Sequence, residues 1–109
     1  MTPAEIKIMK RVRRLVAERP QYGTSFAHAV TDAFFDETFE WTDEDQKITL
    51  TGEQVQNRVT GRGQLAAAVF EIGVLRIFLN PSYEDDAARL NALRGYLTYI
   101  AVHNDRLPL

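Results

Sequence analysis

The sequence predicts a mainly α fold, a compact single-domain bundle of four principal helices plus one short helix, with a small β-hairpin as an option around residues 38–50. Three observations carry this expectation. Apolar residues recur at helical spacing near both ends of the chain; residues 64–80 are apolar almost all the way round a helix and contain no Pro; and helix-start patterns recur at Thr2-Pro3-Ala4-Glu5, at Thr51 with Gln54, and at Asn80-Pro81. The 109 residues fit one globular domain spanning 1–109, with 45% hydrophobic and 26% charged residues to build an ordinary core and surface.

The first helix opens with Thr2 as cap, Pro3 in the first helical position and Glu5 placed to close a capping box. Ile6, Ile8, Met9, Val12, Leu15 and Val16 share one arc, and Lys7, Lys10, Arg11 and Arg14 the opposite one. Pro20 stops this helix and Gln21-Tyr22-Gly23 turns the chain. Thr24 or Ser25 caps a second helix expected to run to about Phe39. Its apolar face is Phe26, Val30, Ala33 and Phe34, with Phe35 and Phe39 roughly opposite and His28 between them.

Residues 40–51 admit two readings. Thr38–Trp41 and Lys47–Leu50 alternate polar and apolar, as a hairpin around a five-residue acidic loop, Thr42–Gln46, would require. An irregular loop pinned by Trp41 and Leu50 fits the same residues. Thr51 and Gln54 then open a short helix ending near Val59, and Thr60-Gly61-Arg62-Gly63 breaks the chain. The long helix Gln64–Asn80 is interrupted only by Glu71 and Arg76, which marks it as the expected buried centre. Ala66, Ala67, Ala68 and Gly73 would let neighbours approach it closely. Asn80 or Ser82 is expected to cap the last helix. That helix runs to about Asn104 on a stripe of Tyr83, Ala87, Leu90, Leu93, Leu97 and Ile100, with Glu84, Asp85 and Asp86 at the positive end of its dipole. Arg106–Leu109 forms a short tail.

Charge is sorted along the chain. Residues 1–19 carry six basic and two acidic groups, residues 20–46 seven acidic and no Lys or Arg, and the rest seven basic and six acidic, under a total of −2. Block charge of this kind points to partners more than to chemistry. The basic face of the first helix (Lys7, Lys10, Arg11, Arg13, Arg14) could neutralise phosphates. It could equally be solvated surface, or pair with the acidic block within the chain or across a dimer. It lacks the interleaved aromatics that stack on bases. The acidic block Asp32–Asp45 encloses Phe34, Phe35, Phe39 and Trp41, so Asp36, Glu37, Glu40 and Trp41 are candidates for a partner surface, with core aromatics and a solvated acidic loop as the plainer account. On the last helix Arg89, Ala92, Tyr96, Tyr99 and His103 form a second stripe with the composition of an interface hot spot.

Catalytic and cofactor signatures are missing. There is no Cys, which excludes disulfides, thiolate catalysis and Cys-based metal sites. His28 and His103 lack neighbours at metal spacing, Ser25 and Ser82 stand in cap contexts, and no Walker, dinucleotide-binding, Gly-x-Ser-x-Gly or His-Glu-x-x-His pattern occurs. An EF-hand counted from Asp36 would need Gly where Trp41 stands. Arg58 with Thr60–Gly63 reads better as a turn than as an anion site, and Leu65–Val69 is too apolar for a DNA-reading helix. Glu71 and Arg76 lie too far apart round their helix to pair, so each should meet a charge from elsewhere, such as Arg94 or Asp32. No secretory signal is visible, and the longest apolar run, Leu65–Leu79, is shorter than the about 20 residues of a bilayer span.

The expectation is thus a cytoplasmic, non-enzymatic protein without cofactor or metal that acts by stoichiometric binding to a protein partner or to itself as a homodimer, as an inhibitor, adaptor or assembly component of the kind found in phages and mobile elements. Nucleic-acid binding is the alternative, and no membrane contact is expected.

Overall fold

In the computed structural model, which describes residues 1–18 and 23–103, the chain forms α1 (Pro3–Glu18), α2 (Gly23–Ala33), β1 (Thr38–Asp43), β2 (Gln46–Thr51), α3 (Gly52–Thr60), α4 (Gln64–Leu79) and α5 (Asp86–Val102). The mainly α expectation holds: five helices and one two-stranded antiparallel hairpin make up the described residues. The Pro20 stop, the Gln21-Tyr22-Gly23 turn, the end of the last helix at Asn104 and the tail lie wholly or partly outside them.

Helix α1 starts as its capping box dictates. The Thr2 backbone N–H donates to Glu5 Oε1 (2.9 Å) and the Glu5 N–H to Thr2 Oγ1 (3.1 Å). Ile8, Met9 and Val12 are buried; Ile6, expected on the same face, is exposed. Helix α2 is the hub. It packs against α1, α3 and α4, and its Phe26 and Val30, with Phe34 just past its end, are buried to 1% exposure or less.

The expected run of α2 to Phe39 is corrected. The helix ends at Ala33 and tightens into a turn in which Phe34 N–H donates to Thr31 O and Phe35 N–H to Asp32 O. Phe39 belongs instead to β1, opposite Leu50, and both are buried. An apolar cross-strand pair facing the core outweighs one more helical turn.

Of the two readings of residues 40–51, the hairpin is the one formed, with a shorter loop than expected. Thr42 pairs with Lys47 and Asp43 with Gln46, so only Glu44 and Asp45 make the turn. Glu44 takes a left-handed φ of 52°, the conformation that two-residue hairpin connections require.

Helix α3 carries the second capping box: Thr51 N–H donates to Gln54 Oε1 (2.8 Å) and Gln54 N–H to Thr51 Oγ1 (3.2 Å). Its first residue, Gly52, donates to Glu37 O (2.7 Å). A Cβ there would overlap the backbone carbonyls of Phe34 and Phe35, so only glycine lets α3 cross the end of α2. Gly63, ahead of α4, has φ 91° and no side-chain cap.

Two further expectations are corrected. The last helix begins at Asp86, later than either Asn80 or Ser82 would start it. Asn80 Oδ1 accepts from Ser82 N–H (2.9 Å) to hold a turn, and Asp85 Oδ1 caps α5 through Ala88 N–H (2.8 Å). Leu90, Leu93, Leu97 and Ile100 form the core stripe as expected, while Tyr83 is half-buried and Ala87 exposed. Helix α4 is not the buried centre. Ala66, Ala67, Phe70 and Val74 face the core, but Leu65, Ile72 and Leu79 are 62%, 50% and 68% exposed.

Arg94 of α5 gathers two distant carboxylates. Its Nε and Nη2 donate to Glu37 (2.8 and 2.7 Å) and its Nη1 to Glu5 (3.3 Å). Hydrogen bonding to Thr2, first through its backbone N–H, and then to Arg94 holds the Glu5 carboxyl below its ordinary value. The Asp86 carboxyl is also lowered, foremost by its hydrogen bond from Arg13 and then by Arg89, against partial desolvation.

Gly52→Ala is expected to cost about 3 kcal/mol through overpacking. A thermal scan should place its Tm more than about 10 °C below that of the parent chain. Glu5 and Asp86 ionise more readily folded than unfolded. Their contribution is therefore complete above their ordinary values of 4.5 and 3.8 and is lost as pH falls through the lowered folded-state values. Urea titrations should show stability falling below that range. Arg13→Met should lower the midpoint at neutral pH and shrink the loss on acidification.

Candidate docking surfaces

The sequence-derived candidates separate into side chains used inside the fold and side chains left at the surface. Glu37 is held by Arg94. Arg89 is committed to the start of its own helix, donating to Asp86 Oδ1 (3.0 Å) and Tyr83 O (3.1 Å). Tyr96 turns inward towards α4. Its ring stacks on Phe70 (centroids 5.7 Å apart, planes 6° off parallel) and lies where a Cβ of Gly73 would stand, and its hydroxyl donates to Val69 O (2.9 Å). Burial pushes that hydroxyl pKa up to about 12, opposed by the Arg76 charge. Gly73 thus admits a neighbour closely, as its size suggested; the neighbour is one aromatic ring.

Tyr99 in the last turn of α5 and His103 just after it meet the hairpin. The Trp41 ring packs edge-on against Tyr99 (6.0 Å) and His103 (5.5 Å), and Tyr99 and His103 stand 4.5 Å apart. This joins two candidates that are distant in sequence, the acidic aromatic block and the C-terminal stripe. Trp41 and His103 are half-buried and Tyr99 is 37% exposed. The Trp41 indole N–H, itself buried, meets no acceptor among the described residues. Beside this cluster the hairpin carries Glu40, which pairs loosely with Lys47 (3.5 Å), and its tip carries Asp43 at the end of β1 and Glu44 and Asp45 in the turn, all three exposed and without an ion pair among the described residues. Asp36 is likewise exposed and lines a shallow groove with Lys7, Arg11 and Asp32 between α1 and α2.

The basic face of α1 is divided. Arg11 pairs with Asp32, Arg13 with Asp86 and Arg14 with Glu18, leaving Lys7 and Lys10 exposed without an ion pair among the described residues. The partners suggested for Glu71 are taken, Arg94 by Glu37 and Glu5 and Asp32 by Arg11. Glu71 and Arg76 therefore have no ion-pair partner among the described residues. Arg58 is exposed and Arg62 half-buried at the α3–α4 turn.

One surface went unrecognised in the sequence, the outer face of α4 with Leu65, Ile72 and Leu79. A signal existed: the three recur every seven residues. An all-round apolar helix hides it, because nothing in its composition tells the covered face from the open one.

Among the described residues no group of three or more His, Asp or Glu side chains gathers as a metal site would require, and no helix is long and apolar enough to cross a membrane. Comparison with protein-family models, with curated proteins and with solved structures finds no match.

Proposed function

We propose that this chain is a non-enzymatic protein acting by stoichiometric protein–protein contact, as an inhibitor, adaptor or assembly component. Its partner presents basic surface to the Trp41–Tyr99–His103 cluster and the acidic hairpin. The observation that carries this reading is the convergence of those three rings, from β1 and the end of α5, beside the carboxylates of Asp43, Glu44 and Asp45, which have no ion-pair partner among the described residues. Aromatic groups that are partly desolvated but still reachable supply anchoring area. Carboxylates around them raise the association rate for a cationic partner and add little once it has docked.

The nucleic-acid alternative, through Lys7, Lys10, Arg11, Arg13 and Arg14, has weaker support. Three of these five cations already have a carboxylate partner each, and the acidic hairpin would repel a phosphate backbone.

Capture from cell extract at low salt should return a partner. Its dissociation constant should rise at least about tenfold for Tyr99→Ala, and its association rate should fall with added salt and in Asp43→Asn/Asp45→Asn. Finding no partner, or one whose binding ignores both variants, contradicts the reading. Duplex DNA titrated against salt should show negligible binding; a log–log slope near about −4 would restore the alternative.

A further inference from the structure

We infer that the outer face of α4 is a self-association surface on which a second copy of this chain docks its own α4 in parallel, closing a two-fold dimer. The observations are the spacing of the exposed residues and the placement of two charges, Glu71 and Arg76, that have no ion-pair partner among the described residues.

Leu65, Ala68, Ile72, Leu75 and Leu79 follow one another at steps of three, four, three and four residues. Leu65, Ala68, Ile72 and Leu79 are exposed and Leu75 is half-buried. This is the a and d seam of a heptad, with Leu65, Ile72 and Leu79 at a, and Ala68 and Leu75 at d. Ala67, Phe70 and Val74, which turn into the domain core, fall on the opposite side. An average period of 3.5 matches the seam between two helices rather than the broader stripe with which a helix covers its own core. The fold already holds α4 helical, so two heptads can pair without first meeting the nucleation cost that a free peptide of this length would face.

The two charges commit the occupant and its direction. In this register Glu71 is a g position and Arg76 the following e position, one on each side of the seam. A g residue on one helix of a parallel pair faces the e residue five positions further along its partner. Glu71 and Arg76 are separated by that interval, so a parallel two-fold dimer forms the same ion pair twice, one on each flank. The separation that prevents them pairing within a helix is the one that pairs them between copies. An antiparallel pair sets g against g and e against e. Glu71 would then meet only Gln64, Glu71 or Phe78, and Arg76 only Val69 or Arg76, none of which completes either charge. A foreign partner would give no reason for the two charges to complement each other at this spacing. The surface is separate from the Trp41 cluster, so dimerisation and partner capture can be lost independently.

Sedimentation of the full chain from about 1 μM to about 300 μM should show a monomer–dimer equilibrium. Ile72→Lys should abolish association over that range while circular dichroism stays unchanged. Glu71→Arg and Arg76→Glu alone should each weaken the dimer about tenfold, since either converts two attractive contacts into repulsive ones; the double variant Glu71→Arg/Arg76→Glu should restore it. Because the chain has no Cys, Leu79→Cys reports direction: the parallel pair brings the two sites together and oxidation should cross-link them. Any of three results overturns the proposal. The chain stays monomeric throughout; the double reversal fails to rescue the single ones; or Leu79→Cys does not cross-link. Loss of foreign-protein capture in the α4 variants without a dimer to lose would assign the face to that protein instead.

Discussion

The burial of α2 is the contact on which the rest of the molecule depends. Phe26, Val30 and Phe34 are essentially removed from water, each contributing about 1.5–3 kcal/mol, and α1, α3 and α4 are placed by what each lays against them. The consequences run outward. The helix must stop at Ala33 so that Phe39 can reach the core from β1, and the hairpin must return the chain at Gly52, the residue small enough to cross the carbonyls of Phe34 and Phe35. The Trp41 cluster owes its position to this sequence of steps, because the hairpin that carries Trp41 is held by Phe39 and Leu50 at its base.

The sorted charge of the sequence is spent unevenly by the fold. Arg11 meets Asp32 across the α1–α2 contact, and Arg94 collects Glu5 and Glu37 from two other segments. Part of the positive block is thereby neutralised inside the domain, as is the first part of the negative block. What stays open is the hairpin end, with Asp43, Glu44 and Asp45 beside an aromatic cluster. The asymmetry that began as two blocks ends as one acidic end and, among the described residues, two lysines without an ion pair, Lys7 and Lys10.

Helix α5 lies between the two surfaces. Through Tyr96 it packs on Phe70 and Gly73 and supports α4 from behind; through Tyr99 and His103 it completes the cluster with Trp41. A stripe that reads as one face in sequence thus serves two neighbours, because its successive residues lie at different levels along α5, Tyr96 beside α4 and Tyr99 and His103 beside the hairpin. Helix α4 cannot bury both its sides. The core around α2 accepts Ala66, Ala67, Phe70 and Val74, and among the described residues no further element covers Leu65, Ile72 and Leu79 on the far side.

By itself the sequence determined the local events: both capping boxes, the break at Thr60–Gly63, most of the apolar faces of α1, α2 and α5, and the alternation of the hairpin strands. These depend on residues a few positions apart, whose geometry is set by the backbone. Tertiary structure decided what required knowing the neighbour. It ended α2 six residues early, made α2 rather than α4 the centre, drew Glu37 and Tyr96 inward, and brought Trp41 to His103. An apolar side chain carries the same hydrophobic tendency wherever it lies in the chain. Whether it becomes core or open surface is settled only by which elements arrive to cover it.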